Sequence, residues 1–132
     1  MNWGRYGHGC AKFLMGKSNQ PMAIVAGGQP WLQTVEVLDL NHQSKGWKEV
    51  KSLKLIPSRS YFPMVTSANG KDLFIIGGLS TEKKGENGIL KMNCSNDNLE
   101  SCKWNLSGRL NHGRSSHVAI PITDTIANKL CN

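Results

Sequence analysis

The feature of this sequence that most constrains its fold is a short apolar run that ends in two glycines and occurs twice. The runs read "AIVAGG" at residues 23–28 and "LFIIGG" at residues 73–78 of the 132-residue chain. Glycine weakens a strand interior, so a glycine pair after an apolar run marks a strand end where no side chain fits or where φ is positive. Two such strand ends indicate that the chain is built from repeated units.

An arginine recurs in register with the glycine pairs. Arg5 precedes the first pair, Arg59 precedes the second, and Arg114 returns at the same interval, so that the arginines are 54 and 55 residues apart. A histidine follows the first and third arginines by three residues, as His8 and His117. The ordered spacing predicts two complete units and the start of a third.

A second apolar segment and a tryptophan complete each unit. The segments read "TVEVLDL" at residues 34–40 and "GILKMNC" at residues 88–94, and Trp47 and Trp104 follow them. In "VEVLDL" apolar and polar residues alternate with period two, which is typical of a half-buried strand. Each unit therefore reads as four short strands, one after the arginine, one before the glycines, one in this segment and one with the tryptophan.

These patterns predict an all-β fold for the domain at residues 1–132. The 14 glycines and the absence of a long window with helical periodicity favour short strands joined by turns. We expect four-stranded antiparallel sheets over residues 5–50 and 59–106, the first strand of a third unit at residues 114–122, and a C-terminal tail at residues 123–132.

The sequence resembles the kelch repeat family through this ordered set of residues. The residues that carry the resemblance are Arg5, His8, Gly27, Gly28 and Trp47 in the first unit, Arg59, Gly77, Gly78 and Trp104 in the second, and Arg114 and His117 in the third. The resemblance implies a kelch-type β-propeller with two blades and the first strand of another. Propellers typically have 4–8 blades, so we expect a C-terminal portion of a longer protein. Assembly with other copies of the chain is the alternative.

The resemblance also implies structural roles for these residues. The glycine pairs would lie at the end of the second strand against crowded backbone, and the tryptophans would supply apolar area between neighbouring blades. The arginines would hold strand ends together through the rigid fork of guanidinium donors. We interpret His8 and His117 as inner-strand histidines rather than as ligands or bases.

Cysteines and glycosylation sequons point to an oxidising compartment. Cys94 and Cys102 flank a polar, turn-rich stretch and are predicted to form a disulfide, while "NCS" and "NLS" make Asn93 and Asn105 candidate N-glycosylation sites. Together they favour a secreted protein over a cytoplasmic one. The cytoplasmic alternative stays open, because three-residue sequons arise by chance and buried free cysteine is common in cytosolic proteins.

Several other classes of site are disfavoured by spacing. The glycine pairs lack the G-x-G-x-x-G pattern of a dinucleotide loop. The set Cys94, Cys102, His112 and His117 has too wide a cysteine spacing for a zinc finger, so we predict neither a metal nor a cofactor. The net charge is +7, but the lysines are scattered, which argues against nucleic acid as partner. The sequence contains no run of 18 apolar residues, so we predict no membrane span.

We therefore expect a protein–protein interaction module rather than an enzyme. The nine acidic residues form no spaced pair that suggests a general acid and base, and no nucleophile–base set is visible. The expected partners are another protein, and the remaining blades or other copies of this chain. The alternatives are part of a propeller enzyme whose site is completed by other blades, or a secreted structural or adhesion protein.

Overall fold

The computed structural model describes residues 1–123 and 126, and this part of the chain is all-β. Ten strands form: β1 (Gly9–Met15), β2 (Gln20–Ala26), β3 (Val35–Asp39), β4 (Lys48–Glu49), β5 (Arg59–Ser60), β6 (Met64–Thr66), β7 (Leu73–Ile76), β8 (Leu79–Ser80), β9 (Gly88–Cys94) and β10 (Cys102–Arg109). Three single 3-10 turns lie at Gln43–Lys45, Lys51–Leu53 and Leu99–Ser101. No helix in the described part of the chain is long and apolar enough to cross a membrane.

The strands form two four-stranded antiparallel sheets, as predicted. The first has the order β1-β2-β3-β4, and the second has the order β10-β9-β7-β6. Strands β5 and β8 pair separately as a two-stranded sheet beside the glycine end of the second sheet. The all-β class and the two four-stranded sheets are thereby confirmed.

The main core lies between the two sheets. Strand β1 turns Phe13 toward the second sheet, where it meets Leu73 and Ile75 in one buried cluster. The connection after β4 adds Leu53 and Leu55, which are also buried in this cluster. Each of these side chains removes enough apolar surface from water to contribute roughly 1.5–3 kcal/mol, so the two sheets stabilise each other.

Two hydrogen bonds join the edges of the two sheets. The amide of Leu14 donates to the carbonyl of Gly70 at 2.7 Å, and the Thr66 hydroxyl donates to the carbonyl of Lys12 at 2.5 Å. Gly70 lies in the tight turn between β6 and β7 and has φ of 77°, which glycine adopts without strain. The turn at Asn69-Gly70 thus also contacts the first sheet.

The predicted strand at residues 114–122 does not form. This segment has no strand pairing, although it lies against the second sheet through single backbone bonds. A strand needs a neighbour that satisfies its amides and carbonyls in register, and residues 1–123 supply none at this edge. The prediction of a strand is therefore wrong for this segment. The predicted tail at 123–132, except Thr123 and Ile126, lies outside the described residues.

Candidate functional site: the junctions between units

The arginine that begins the first unit binds the glycine end of its own sheet. Arg5 donates from Nη1 to the carbonyls of Gly27 at 3.0 Å and Thr34 at 3.1 Å, and from Nη2 to the Thr34 hydroxyl at 3.0 Å. Nη2 also donates to Glu36 Oε1, in an ion pair whose two side chains are both fully buried. The fork of donors thus ties the end of β2 to the start of β3.

The second arginine repeats this arrangement with weaker ionic support. Arg59 donates from Nη1 to the carbonyls of Gly77 at 3.2 Å and Gly88 at 3.5 Å, and Glu86 lies 3.8 Å from its Nη2. Burial lowers the pKa of the Arg59 guanidinium, and the charge of Glu86 opposes this shift. Arg114, by contrast, is exposed, and among residues 1–123 its side chain has no glycine pair of its own unit to bind.

The backbone of each returning arginine covers the glycine pair of the preceding unit. Gly28 donates to the carbonyl of Arg59 at 2.8 Å, and Gly78 donates to the carbonyl of Arg114 at 2.8 Å. A Cβ placed on Gly27 would overlap the Arg59 carbonyl oxygen. The glycines therefore allow two backbone segments to approach, which is the reason a side chain is excluded there.

A left-handed residue follows each arginine at the same position. Gly7, Tyr61 and Ser116 have φ of 60°, 53° and 56°. The amide of Tyr61 donates to the carbonyl of Gly7 at 2.6 Å, and the amide of Ser116 donates to the carbonyl of Tyr61 at 2.8 Å. Three successive units are thus joined by a chain of equivalent backbone bonds, and at Tyr61 and Ser116 the fold compensates for a conformation that side chains disfavour.

An aromatic ring packs on the preceding glycine pair at both junctions. Phe62 lies against Gly9 and Gly27, and His117 lies against Gly77 at the equivalent place. The counterpart in the first unit is His8, which contacts Gly28 of its own unit. Phe62 and the histidines therefore occupy one repeat position, and the rings of Phe62 and His117 fill the space that the missing glycine side chains leave.

Burial lowers the pKa of both histidines. At His8 desolvation is the main cause and the positive charge of Arg5 adds to it, while a backbone hydrogen bond acts in the opposite direction. At His117 desolvation again comes first, followed by the charge of Arg114. The folded protein therefore favours neutral rings at both positions.

This shift predicts a loss of stability in mild acid. An unfolded histidine has a pKa near 6.5, so between that value and the lower folded value the unfolded chain binds more protons. The free energy of unfolding should be highest above about pH 6.5 and fall as the pH drops through the folded pKa. Urea denaturation at pH 7.5 and pH 5.0 measures the difference.

Variants at the shared ring position give the matched test. His117→Phe places there the ring that Phe62 provides at the first junction, and it should reduce the stability lost between the two pH values. Phe62→His should increase that loss, whatever its effect at pH 7.5. Equal pH dependence in the wild type and both variants would contradict the assignment.

The two tryptophans differ in their surroundings. Trp104 packs against the core, and its Nε1 donates to the carbonyl of Leu53 at 2.8 Å, so it joins the second sheet to the connection after the first. Trp47 is half-buried just before β4, and its carbonyl accepts from the Asn2 side chain at 3.1 Å. Trp104 therefore lies at a junction between units, and Trp47 lies beside the N-terminal segment.

The predicted disulfide between Cys94 and Cys102 is present. The two residues are directly opposite each other at the ends of β9 and β10, with Cα atoms 3.9 Å apart. Cys10 is an exposed free thiol, and Cys131 lies outside the described residues. The cross-link closes the polar loop that carries the 3-10 turn between the two strands.

Opening this disulfide should lower the free energy of unfolding by about 2–3 kcal/mol. The bridge spans a separation of 8 residues, and closing a loop of this size restricts the unfolded chain by roughly that amount. We would compare urea midpoints with and without reductant in a Cys10→Ser, Cys131→Ser background, which excludes thiol exchange. The same background with Cys94→Ala and Cys102→Ala should match the reduced protein, and a midpoint unaffected by reductant would refute the estimate.

Exposed aromatic side chains lie at the glycine end of the first junction. Tyr6, which pairs with Gln29 through a single backbone bridge, is 63% exposed, and Tyr61 is 37% exposed although its ring lies over Gly7. Large aromatic side chains are enriched at protein–protein interfaces because they contribute much contact area at low entropic cost. This end of the sheets therefore exposes two large aromatic side chains of the kind that interfaces use.

Residues to which the sequence assigned no role carry much of this site. Thr34 and Glu36 bind Arg5, and Phe62 and Tyr61 form the first junction. Phe62 lies three residues after Arg59, as His8 and His117 lie three residues after their own arginines, so the repeat alignment marks its position. Within residues 1–123, no three His, Cys, Asp or Glu side chains lie close enough together to hold a metal ion.

Comparison with models of known protein families and with curated proteins finds no match for this chain.

Proposed function

We propose that this chain is part of a kelch-type β-propeller and acts as a non-catalytic protein–protein interaction module. The observation that carries the proposal is the repeated junction. At both junctions between units, a glycine amide donates at 2.8 Å to the carbonyl of the arginine that begins the next unit. Contacts made only between neighbouring units are what a repeat protein needs in order to extend its fold.

His8 lacks the contact with a preceding glycine pair that Phe62 and His117 make at the two junctions. Phe62 and His117 each pack on a glycine of the preceding unit, whereas the described residues contain no glycine pair before His8. We propose that a further unit, from the same propeller or from another copy of the chain, covers this end. Light scattering coupled to size exclusion tests this for the isolated chain, which should associate. A monodisperse monomer with a sharp thermal transition would contradict it.

The proposed partner surface is the glycine end of the sheets. It combines the exposed aromatic ring of Tyr6 with the charged loop after β8, where Lys83 is exposed and Lys84 pairs with Glu82 at 3.4 Å. Aromatic anchors provide affinity and the charged surroundings provide orientation. The partner is therefore expected to be another protein, bound by loops rather than by the sheet faces.

Cross-linking followed by mass spectrometry in an extract of the native source tests this function. A protein that cross-links to the glycine end of the wild type should be lost from a Tyr6→Ala, Lys84→Ala variant. It should be retained by the matched control Lys17→Ala, Lys71→Ala at the other end of the strands. Cross-links that map only to the other end, or that survive the first variant, would argue against the proposed surface.

We also propose that the protein resides in an oxidising, secreted environment. The support is the disulfide between Cys94 and Cys102, because such bridges form and persist in secreted proteins and are rare in the cytosol. Mass spectrometry of non-reduced peptides from the native source decides between the two locations. Free thiols at both positions would instead favour the cytoplasmic alternative.

A further inference from the structure

We infer that Asn105 carries an N-linked glycan in the folded protein and that Asn93 does not. Both residues begin a sequon, with Ser107 and Ser95 as the hydroxyl residues at the third position. The inference rests on the secreted location proposed above. It goes beyond that location because the geometry of two neighbouring strands decides which acceptor is used.

The two asparagines lie on the same face of the second sheet. In the pairing of β9 with β10, Lys103 is opposite Asn93 and Asn105 is opposite Lys91. Directly opposed residues point to the same side, so these four polar side chains form one patch. Trp104 and Met92 point to the other side, where they pack in the core. The asparagines therefore face away from the first sheet.

The corresponding face of the first sheet is apolar and buried, whereas this patch is polar. With the glycine pairs aligned, the buried Met22 and Val37 correspond to Asp72 and Lys91 in the second sheet. The Lys91 ammonium lies 2.8 Å from the Asp72 carboxylate, and both side chains are about a third exposed at 32% and 39%. These charges make the part of the face around Asn105 suited to water and sugar.

The asparagine side chains are too close for two glycans. Asn93 donates from Nδ2 to Asn105 Oδ1 at 3.2 Å. A sugar on Asn93 would start 3.2 Å from the Asn105 oxygen, on a strand that lies between β7 and β10. The hydrogen bond itself survives a sugar on either residue, because a glycosylated Nδ2 keeps one N–H and Oδ1 still accepts, so the positions of the two strands decide between the acceptors.

Strand position gives Asn105 a second advantage. It lies on β10, which is the edge strand of the sheet, whereas Asn93, which is also exposed, lies on an inner strand. Asn93 directly precedes Cys94, so a sugar there would crowd the residues that form the disulfide. A glycan on an edge strand also prevents unwanted pairing with the strand edges of other molecules.

The transfer itself follows from the amide chemistry of the acceptor. The Asn105 Nδ2 forms a bond to the anomeric carbon of an oligosaccharide supplied by a polyisoprenyl diphosphate donor. The bond from that carbon to the diphosphate oxygen breaks, and Nδ2 loses one proton. The Ser107 hydroxyl completes the sequon.

Expression of the full chain behind a secretory leader in eukaryotic cells tests the inference. Intact mass before and after endoglycosidase treatment counts the glycans, and glycopeptide sequencing locates them. We expect one glycan per chain, on Asn105, in molecules whose disulfide is closed. Ser107→Ala should remove it, whereas Ser95→Ala should leave it unchanged, and neither variant alters an asparagine side chain.

Three results would overturn the inference: two glycans on a disulfide-closed chain, a glycan on Asn93 alone, or none on either residue. Because the leader directs the chain into the secretory pathway, each of these results concerns the acceptor geometry and not the natural location. A thermal melt of each variant after glycan trimming serves as the folding control, and all should retain the wild-type transition within a few degrees.

Discussion

Replacing Glu36 with alanine is expected to lower the free energy of unfolding by about 3–5 kcal/mol. Both side chains of the Arg5–Glu36 pair are fully buried, and Glu36 also accepts from the amide of Asn2 at 2.6 Å. Removing the carboxylate leaves the guanidinium buried without a counter-charge, which costs far more than the loss of an exposed pair. Urea denaturation of the variant, monitored by tryptophan fluorescence, measures the change.

Two comparisons isolate the buried charge as the cause. Lys48→Ala breaks the exposed pair between Lys48 and Glu100, at 3.5 Å, and should change the free energy of unfolding by at most about 1 kcal/mol. The double variant Arg5→Met, Glu36→Leu should lose less than Glu36→Ala alone, because no unpaired charge stays buried. A Glu36→Ala variant within about 1 kcal/mol of wild type would show that water reaches Arg5 in solution.

Gly27→Ala is expected to destabilise the protein by about 2–5 kcal/mol. A Cβ at this position would overlap the Arg59 carbonyl oxygen, and φ is 60°, where an L-residue with a side chain costs about 1–2 kcal/mol. Relief of the overlap would shift backbone at the junction between units, which adds roughly 1–3 kcal/mol. The urea midpoint should fall, and the Gly28 amide should exchange with deuterium much faster.

Gly46→Ala provides the matched control. Gly46 has φ of 72° and ψ of −175°, a combination almost restricted to glycine, but a Cβ there would meet nothing within 4 Å, so only the conformational cost of about 1–3 kcal/mol applies. The loss in the free energy of unfolding for Gly77→Ala should lie between those for Gly27→Ala and Gly46→Ala. The reason is that the segment with Arg114 is held by fewer hydrogen bonds than the segment with Arg59. Equal losses for Gly27→Ala and Gly46→Ala would mean that the close approach to Arg59 contributes nothing.

The repeat allowed the sheets to be predicted because its signals are local. Alternation in residues 34–40 and the glycine pairs each report on a few adjacent residues, and the sheets follow them. Glu36 was beyond such reasoning. In "VEVLDL" it looks like a solvent-facing polar residue, and only the N-terminal segment with Asn2 and Arg5, distant in sequence, makes it buried.

The segment at 114–122 shows why a repeat register does not guarantee a strand. Its arginine, left-handed residue and ring all take the positions of their equivalents, since these contact the preceding unit. The strand itself depends on a partner on the other side, which residues 1–123 do not supply at that edge. Val118 and Ile120 are accordingly 85% and 77% exposed. Sequence periodicity reports the tendency of a segment, whereas strand formation also needs its neighbour.

The backbone hydrogen bonds from Gly28 to Arg59 and from Gly78 to Arg114 mean that the first residues of one unit cover the glycine pair of the unit before it. A recombination crossover placed directly before Arg59 would separate the glycine pair from the four residues that cover it. Chimeras that exchange whole units should therefore place the crossover after Phe62, so that the upstream donor keeps its own covering segment. The boundary that matters for such modular engineering lies within the first turn of the following unit, several residues downstream of the boundary that the repeat marks.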